Sequence, residues 1–504
     1  MNPNLIQAFS DSHIDFLHDE SRLRGSAETI AFPENEDEVR SVVATVCAAG
    51  GTITVQGART GIAGGAVPKG GCVVNLSRLK EVGPCRPDAG LLMVQPGALL
   101  TDVRAVAEEY NLFFPPDPTE TSASIGGMIA ANASGAMSFF YGPTRKWIEA
   151  LRVVLADGSV LALRRGGHKA SGRRFSVTTE DGRVISGVLP DYSLPPVKSA
   201  AGYYVAGDME LIDLFMGMEG TLGIIAGAQL RLIPQPPVIC GLTVFLPSQE
   251  AALSFVRLAR GENAAGREGL TTRPVAIEFF NYDTLNLLRR MKAEGKVAGS
   301  IPALLPHYHT AVYLEFHGED EALVEGAALA AIELASALGG NDEDSWYAAN
   351  SRDLAPQKAF RHAVPEAVNL LIGERQRTDP SIIKLGTDMS VPDAALEEVM
   401  AMYRGDLASA GLESVIFGHI GNNHVHVNIL PRDKFEYDRG KALYQSWAKR
   451  IVAMGGSVSA EHGIGKLKTQ LLALMLGEEG IAQMRALKRL FDPGASMNPG
   501  VLLE

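Results

Sequence analysis

The chain has 504 residues, too many for one typical hydrophobic core, so two or three domains are expected. Hydrophobic residues make up 46% and charged residues 21%, and no apolar run approaches the roughly 20 residues that cross a bilayer; this predicts a soluble protein without a transmembrane segment. The formal net charge of -12 argues against a nucleic-acid partner, because neutralising phosphates needs a basic surface.

The N-terminal residues and the cysteines indicate the compartment. Residues 1–20 are polar and acidic and lack the basic start and apolar centre of a secretory signal. Cys47, Cys72, Cys85 and Cys240 have no Cys-x-x-Cys spacing, which argues against an iron–sulfur cluster, a zinc ribbon or a disulfide framework. We therefore expect a cytoplasmic protein with reduced thiols.

The first chemically informative segment is a glycine-dense loop. Residues 39–49 have the apolar spacing of a helix, Gly50-Gly51 ends it, and residues 52–55 are β-rich. The loop that follows, residues 56–66, contains four glycines, where a backbone could approach a ligand closely and present N–H groups to phosphate oxygens. It matches neither the P-loop nor the Gly-x-Gly-x-x-Gly dinucleotide series, and by itself it could be a plain surface loop.

Three further segments of the N-terminal half stand out. Residues 115–141 hold a run of small side chains, 124–135, which suggests backbone packed against a large flat ligand. In residues 218–225 two glycines introduce an apolar strand. Residues 164–174 are basic although the chain as a whole is acidic. We favour the interpretation of this segment as a solvated loop over that of a docking patch.

Two short β-rich runs near the C-terminus, residues 415–420 and 424–430, flank the sequence Gly-Asn-Asn at 421–423, whose residues tolerate positive φ. The pattern predicts a tight hairpin closed by a two-residue loop. In that register His419 lies opposite His426, with Cβ atoms about 5 Å apart, and two imidazoles at that distance can share one metal ion.

The polar face of this hairpin predicts a metal site. Because side chains alternate along a strand, His424, His426 and Asn428 share one face while the residues between them are core. A pair of histidines alone is better explained as ordinary buried or surface histidines. Glu461 completes a His, His, Glu set with open positions, which is typical of a catalytic zinc or similar divalent ion.

In this order and at these separations, the glycine loop and residues 115–141 and 218–225 resemble the flavin-binding domain of the vanillyl-alcohol oxidase/p-cresol methylhydroxylase (PCMH) class. Over residues 25–504 the chain is similar to the FAD-dependent D-2-hydroxy-acid dehydrogenases, a family that includes D-lactate dehydrogenase, D-2-hydroxyglutarate dehydrogenase and the flavoprotein subunit of glycolate oxidase. The C-terminal Gly-His-x-Gly followed by His, and Glu-His-Gly, carry the similarity most specifically.

The resemblance implies an α+β fold in three parts. Residues 25–236 would form a PCMH-type FAD-binding domain, residues 237–455 a ferredoxin-like antiparallel-sheet cap domain with the metal hairpin, and residues 456–504 a C-terminal segment that packs back on the flavin. The residues implied to bind FAD are Gly57, Ala58, Arg59, Thr60, Gly61, Gly64, Gly65, Pro118, Thr119, Ser124, Gly126, Gly127, Asn132, Gly135, Ile224 and Asn498. Relatives with covalent flavin often have a histidine in the glycine loop; none is present here, so FAD is expected to bind non-covalently.

The family also implies roles for the C-terminal polar residues. His419, His426 and Glu461 match its metal ligands, His462 matches the residue beside substrate and flavin, and Asn428 matches a substrate-binding position. Many relatives read Gly-Asp-Gly-Asn between the hairpin histidines; here His424 stands in that region and is expected to contact substrate or flavin.

Two positions bear on the choice of substrate. Arg361 matches the arginine that binds the substrate carboxylate, and a planar guanidinium suits that group. Gly386 stands where the 2-hydroxyglutarate enzymes carry a lysine for a second carboxylate, and Lys384, on the same strand face, is expected to compensate in part. The pairs Arg361-His362 and Thr387-Asp388 resemble the D-lactate enzymes more closely, which favours a monocarboxylate.

The implied reaction is oxidation of a D-2-hydroxy acid. The first candidate is the oxidation of D-lactate to pyruvate, and D-2-hydroxyglutarate and glycolate are the alternative substrates. Flavin N5 accepts the hydride, a divalent metal (Zn²⁺, with Mn²⁺ or Fe²⁺ as alternatives) assists deprotonation of the hydroxyl, and His462 is the candidate base. A metal-dependent hydrolase without flavin and a non-catalytic flavoprotein electron-transfer subunit are the rival interpretations.

The sequence leaves the electron acceptor open. The candidates are a quinone, a cytochrome, an electron-transfer flavoprotein, an iron–sulfur subunit and oxygen. A membrane-bound acceptor would also hold this protein at the membrane periphery. A homodimer is plausible for the family.

Overall fold

The N-terminal part is a small four-stranded sheet with one helix. The computed structural model describes residues 5–297 and 300–503. The strand order is β1-β2-β4-β3, with β1 antiparallel and the others parallel. Asn35 caps the helix, whose buried face confirms the predicted apolar spacing, and Gly50 (φ 73°) follows its end. The elements are β1 (Ile6–Ala8), β2 (Thr29–Ala31), α1 (Glu36–Ala48), β3 (Ile53–Gln56) and β4 (Cys72–Asn75).

A five-stranded antiparallel sheet follows, in the order β5-β6-β12-β8-β9, beside two two-stranded sheets, β10-β11 and β13-β7. The small-residue segment forms the short helices α3 and α4 rather than strands. The elements are β5 (Val82–Arg86), β6 (Leu91–Val94), α2 (Leu100–Glu109), β7 (Leu112–Phe113), α3 (Ile125–Ala131), α4 (Ser138–Tyr141), β8 (Ile148–Val154), β9 (Val160–Arg164), β10 (Arg174–Thr178), β11 (Val184–Val188), β12 (Ile224–Arg231) and β13 (Ile233–Pro234).

The C-terminal half is built on an antiparallel sheet in the order β17-β14-β16-β15-β20-β21-β18, with β19 also paired to β21. Helices and antiparallel sheets together give the predicted α+β class. The elements are β14 (Val238–Leu246), α5 (Gln249–Ala259), β15 (Ala276–Phe280), α6 (Tyr282–Ala293), β16 (Thr310–Gly318), α7 (Glu321–Ala337), β17 (Trp346–Ala348), α8 (Ser351–Thr378), β18 (Leu385–Gly386), β19 (Met389–Ser390), α9 (Leu396–Ala410), β20 (Ser414–Gly418), β21 (His424–Ile429), α10 (Lys434–Ala453) and α11 (Thr469–Phe491).

The predicted register of the histidine hairpin is wrong. His426 lies opposite Phe417, not His419, and five residues join the strands instead of two. A 3-10 turn at Ile420–Asn422 takes up the extra length, and Asn423 (φ 51°) then turns the chain into β21. The prediction that 421–423 tolerates positive φ is met at Asn423 alone.

After α11 the chain returns to β3. The amide of Ile53 donates to the Ser496 carbonyl over 2.8 Å, and the amide of Asn498 donates to the Ile53 carbonyl over 2.8 Å. The side-chain oxygen of Asn498 accepts from the Val55 amide over 2.8 Å, and its amide nitrogen donates to the Glu219 carbonyl over 2.7 Å. The end of the chain is therefore joined both to the start of the glycine loop and to the segment before β12.

Candidate active site

A cavity of about 1220 Å³ lies between the glycine loop, the C-terminal sheet and the segment before α11. This volume exceeds the 300 to 1,000 Å³ typical of single small-ligand pockets and suits a large cofactor with a substrate beside it. The predicted residues that line it are Gly57, Ala58, Arg59, Thr60, Gly61, Gly65, Pro118, Thr119, Ser124, Gly126, Gly127, Asn498, Arg361, Lys384, Asn428, His419, His426, Glu461 and His462.

Five predicted site residues do not line this cavity. Gly64 and Asn132 adopt positive φ in turns, and a Cβ at Gly135 would lie 1.7 Å from the Asp117 carbonyl, so the backbone there is tightly packed. Ile224 is fully buried at the start of β12. His424 is also fully buried, which contradicts the expectation that it contacts a substrate in the cavity.

The glycine wall of the cavity fits close backbone contact with a flat ligand. A Cβ at Gly57 would lie 2.1 Å from Ser124 Oγ, and that same hydroxyl accepts from the Ala58 amide over 3.2 Å. The loop and the start of α3 are thus joined, with no side chain on Gly57 to fill the space between them. A Cβ at Gly61, by contrast, would meet nothing within 4 Å, because the loop is open there.

Two histidines present a ring nitrogen to a common point. His419 Nδ1 lies 2.7 Å from the buried carboxylate of Glu278, and His419 Nε2 lies 3.1 Å from Glu461 Oε2. His426 Nδ1 lies 2.9 Å from the Thr387 carbonyl, which can only accept, so Nδ1 carries the proton and Nε2 keeps its lone pair. Partners of this kind on the second nitrogen are what metal-binding histidines usually have.

One nitrogen from each of His419, His424 and His426, together with a Glu461 oxygen, all lie within 4.8 Å of one another. Two atoms that each bind one ion at about 2.1 Å are at most about 4.2 Å apart, so the group is close to the spacing that a shared metal ion requires. The donor set, imidazole nitrogen and carboxylate oxygen, suits a divalent transition metal. The structure thus brings the three predicted ligands together and adds His424 to the group.

The charges of this cluster are set by buried partners. Burial lowers the pKa of His419, but the Glu278 and Glu461 carboxylates together outweigh it and raise the pKa to about 9. Burial and the nearby Lys198 ammonium lower the pKa of His424 to about 4. Burial alone would raise the pKa of Glu461, yet Lys198 and His419 hold it well below its usual range.

Lys198 and Glu278 were missed by the sequence reasoning. Lys198 Nζ lies 3.0 Å from Glu461 Oε2 with 7% of its side chain exposed, although 263 residues separate the two. Glu278, in β15, lies 141 residues before its partner His419. No local pattern marks either residue, because each acts through a contact that only the fold creates.

His462 lies next to the cluster and is oriented by Asp388. Its ring stacks on that of His426 with centroids 5.3 Å apart, and its Nδ1 lies 3.5 Å from Asp388 Oδ2. Lys468 and Ser459 in turn hold the buried Asp388 carboxylate, at 2.7 and 2.6 Å. Glu461 and His462 both face the cavity, as expected if the chain bends just after them, and the following Gly463 has φ 73°.

Arg361, on α8, carries a charge with unused hydrogen-bonding capacity. Its side chain is 8% exposed, its guanidinium lies over the Tyr313 ring at 5.0 Å, and its Nε is 3.9 Å from Glu278 Oε2. That buried Nε has no hydrogen-bond partner, and neither has the Oδ1 of the nearly buried Asn428. Unsatisfied buried polar atoms on a cavity wall are what a polar ligand would complete.

Lys384 lies over the position where a side chain is missing. A Cβ at Gly386 would lie 3.6 Å from Lys384 Cε and 2.8 Å from Asn428 Oδ1. Lys384 Nζ donates to Asn369 Oδ1 over 3.3 Å, and burial lowers the pKa of Lys384 to about 8. Lys384 and Asn428 therefore both border the position where residue 386 carries no side chain.

The segment after His462 is fixed directly to the glycine loop and to Glu219. The amides of Ile464 and Gly465 donate to the Glu219 carboxylate over 2.8 and 2.7 Å, and the Lys466 amide donates to the Ala63 carbonyl over 2.9 Å. Burial raises the pKa of Glu219 to about 7. These contacts fix the position of His462 relative to the glycine loop.

The basic segment 164–174 is largely neutralised by its own neighbours. Arg165 contacts Asp213 at 2.8 Å and Glu210 at 3.3 Å, and Lys169 lies 3.9 Å from Glu210. This favours the solvated-loop interpretation over a docking patch. Over the described ranges, the cysteines are free thiols and no helix is long and apolar enough to cross a membrane.

A glycine-walled cavity large enough for a dinucleotide, set in an α+β fold, defines the class as a flavoprotein with a PCMH-type FAD-binding domain. Residues 27–164 match the FAD binding domain, and residues 235–502, more than half of the chain, match the C-terminal domain of FAD linked oxidases. The chain belongs to the FAD-linked oxidase family. Membership argues against a flavin-free hydrolase.

The named relatives limit the range of candidate activities. The chain is 28% identical to D-lactate dehydrogenase of Anaerostipes hadrus, over 99% of this chain and 94% of the relative. It is 30% identical to D-2-hydroxyglutarate dehydrogenase of Xanthomonas citri pv. viticola, over 94% of this chain and 89% of the relative. The solved structure of an alkyldihydroxyacetonephosphate synthase shares the fold, with a TM-score of 0.67 at 16% identity over 99% of this chain and 82% of the other. The chain is therefore an FAD-linked oxidoreductase.

Proposed function

We propose that this protein oxidises a D-2-hydroxy acid to the 2-keto acid, with D-lactate to pyruvate as the first candidate. The observation that carries the proposal is the convergence of Arg361, His462 and the histidine cluster on the cavity that the glycine loop also lines. An anion-binding group, a base and a metal-ligand set beside a cofactor site are the parts that oxidation of a hydroxy acid needs.

On the cofactor side, FAD would lie against the glycine wall and accept a hydride at N5 when bound. The loop 57–65, the start of α3 and Asn498 are the parts of the chain that would hold it. No histidine lies in the loop, which supports non-covalent binding. The family membership and the cavity's size support FAD; the individual contacts are part of the proposal.

For the substrate, Arg361 would bind the carboxylate. Its Nε is free, its charge is buried, and Tyr313 packs under the guanidinium, so the planar face is already oriented. Asn428, with its free Oδ1, would accept a hydrogen bond from the substrate. Together they would fix the acid so that C2 faces the flavin.

At the hydroxyl, His419, His426 and Glu461 would hold a divalent ion whose charge lowers the pKa of the 2-hydroxyl. His462 would take the hydroxyl proton. Asp388, near Nδ1 of His462, would keep that nitrogen protonated and leave Nε2 as the basic atom, because an ionised carboxylate only accepts. Lys468 and Ser459 fix the Asp388 side chain for this role.

Lys384 supports a second candidate substrate, D-2-hydroxyglutarate. Its side chain lines the cavity, with Cε near the position of Gly386, and its ammonium would bind a second carboxylate of the substrate. Glycolate is the smallest of the candidate substrates.

The proposal has three further parts. The enzyme passes its electrons to an external acceptor, which is a quinone, a cytochrome, an electron-transfer flavoprotein or an iron–sulfur subunit. The protein is cytoplasmic and forms a homodimer.

The test is anaerobic mixing of the purified protein with D-lactate, L-lactate, glycolate and D-2-hydroxyglutarate, followed at the flavin absorbance maximum with and without a chelator. Bleaching by D-lactate that stops on chelation supports the reaction and the part of the metal in it. Bleaching by D-2-hydroxyglutarate alone replaces the first candidate with the second. A yellow protein reduced by none of the four overturns the proposal in favour of an electron-transfer subunit.

A further inference from the structure

We infer that His424 is a fourth protein ligand of the metal, so that the site is built from three imidazoles and one carboxylate. This inference rests on the metal site of the proposed function and goes beyond it, because the motif assigns only His419, His426 and Glu461. It concerns a residue with no exposed surface and no place on the cavity wall.

The first argument is that the Nδ1 of His424 is buried without a partner. Neither ring nitrogen of His424 makes a hydrogen bond, and the carboxylate oxygen near Nδ1 is Glu461 Oε2, 3.6 Å away. A buried polar atom left unsatisfied costs about 1 to 3 kcal/mol, so a histidine kept there for packing alone would be expensive. A metal ion beside Glu461 would complete it.

The tautomer is the second argument. His424 Nε2 lies 3.1 Å from Asp388 Oδ1, and the Asp388 carboxylate is ion-paired with the Lys468 ammonium at 2.7 Å. An ionised carboxylate can only accept, so the proton of His424 sits on Nε2 and the lone pair on Nδ1. The lone pair therefore belongs to the nitrogen that faces Glu461.

The third argument is the spacing of the three rings. The ring centroid of His424 lies 4.5 Å from that of His426 and 5.4 Å from that of His419. The ring centroids of His419 and His426 are 5.7 Å apart. Three imidazoles bound to one ion through bonds of about 2.1 Å have centroids about 5 Å apart. The rings therefore already stand close to the positions that a shared ion would require.

A fourth ligand changes which ion can work. Four protein ligands saturate a tetrahedral zinc site, whereas catalytic zinc sites keep an open position. A substrate hydroxyl would need a fifth position, which octahedral ions such as Mn²⁺ and Fe²⁺ offer readily. The functional ion is thus one that accepts five or six ligands.

X-ray absorption at the metal edge of the flavin-loaded protein reconstituted with Mn²⁺ counts the imidazoles directly. Three in the wild type and two in His424→Asn are expected, and the variant should bind Mn²⁺ at least about tenfold more weakly in chelator competition, since losing even an outer partner of a ligand costs 10- to 100-fold. His317→Asn is the matched control: His317 is also nearly buried, but its nitrogens contact Tyr141 and Glu315 away from the cluster.

Each outcome decides a different point. Two imidazoles in the wild type, a measurement that needs no variant, would overturn the role of His424 and leave the proposed metal site standing. An unchanged Mn²⁺ affinity in His424→Asn would do the same. A wild-type protein that binds no divalent ion would overturn the metal site itself, and the inference with it.

Discussion

The carboxyl of Glu219 makes the stability of this protein depend on pH by a calculable amount. Burial raises its pKa from 4.5 to about 7, against hydrogen bonds from the Ile464 and Gly465 amides that lower it. The folded protein therefore binds more protons than the unfolded chain between these values. The stabilising contribution is full below pH 4.5 and is lost as the pH rises through 7.

The size of the effect follows from the shift. At 1.36 kcal/mol per pKa unit, titration between pH 5 and pH 8 removes about 2.5 kcal/mol from the free energy of unfolding. Glu219→Gln cannot titrate; its amide oxygen can replace only one of the two carboxylate oxygens, which accept separately from the Ile464 and Gly465 amides, and this loss is the same at both pH values. Its free energy of unfolding should therefore fall by about 2.5 kcal/mol less than that of the wild type over this interval.

Urea titrations of both proteins at the two pH values measure the difference. Glu343→Gln, which removes a fully exposed carboxyl, serves as the control and should keep the pH slope of the wild type. Equal slopes in the wild type and Glu219→Gln would mean that Glu219 is ionised throughout. The favourable charges of Lys466 and Lys468 would then outweigh burial, and the reasoning above would be wrong.

Three further predictions concern the reaction. His462→Ala should slow flavin reduction by roughly 100-fold or more in stopped-flow traces while FAD and metal stay bound, and an unchanged rate would exclude His462 as the base. Arg361→Gln should raise the KM for the hydroxy acid on the order of 10- to 100-fold with FAD retained, because a charge-assisted hydrogen bond contributes about 1.5 to 3 kcal/mol; an unchanged KM would place the carboxylate elsewhere. Removal of the metal by dialysis against a chelator should abolish substrate bleaching but leave photochemical reduction of the flavin intact, and bleaching that survived would exclude a metal from the reaction.

The sequence was most informative where the chemistry is local. Helix α1 and the strand before the glycine loop follow from periodicity and turn residues. His419 and His426 do come together, but not in the register from which their contact was predicted. The register failed, because counting outward from a two-residue loop ignores the 3-10 turn at Ile420–Asn422. The rings converge nonetheless, since the turn carries His419 back toward β21.

Contacts between distant segments could not be predicted in this way. Glu278 and Lys198 lie in stretches with no motif, and their partners are more than a hundred residues away. His424 was expected to contact substrate or flavin because of its place in the family motif, but a motif position and strand alternation give a face and not a depth. Its complete burial depends on how β21 packs against β19 and the segment that carries Asp388.

The joining of Asn498 to Val55 and Glu219 has a consequence for biosynthesis. The glycine loop leaves the ribosome early, yet the residue that hydrogen-bonds to the amide at its base lies 443 positions later. The cofactor side of the cavity is therefore incomplete until residue 498 has been synthesised, and flavin uptake should not precede that point. For the same reason, a stop codon a few residues before position 498 should be as damaging to flavin content as one much earlier in the reading frame.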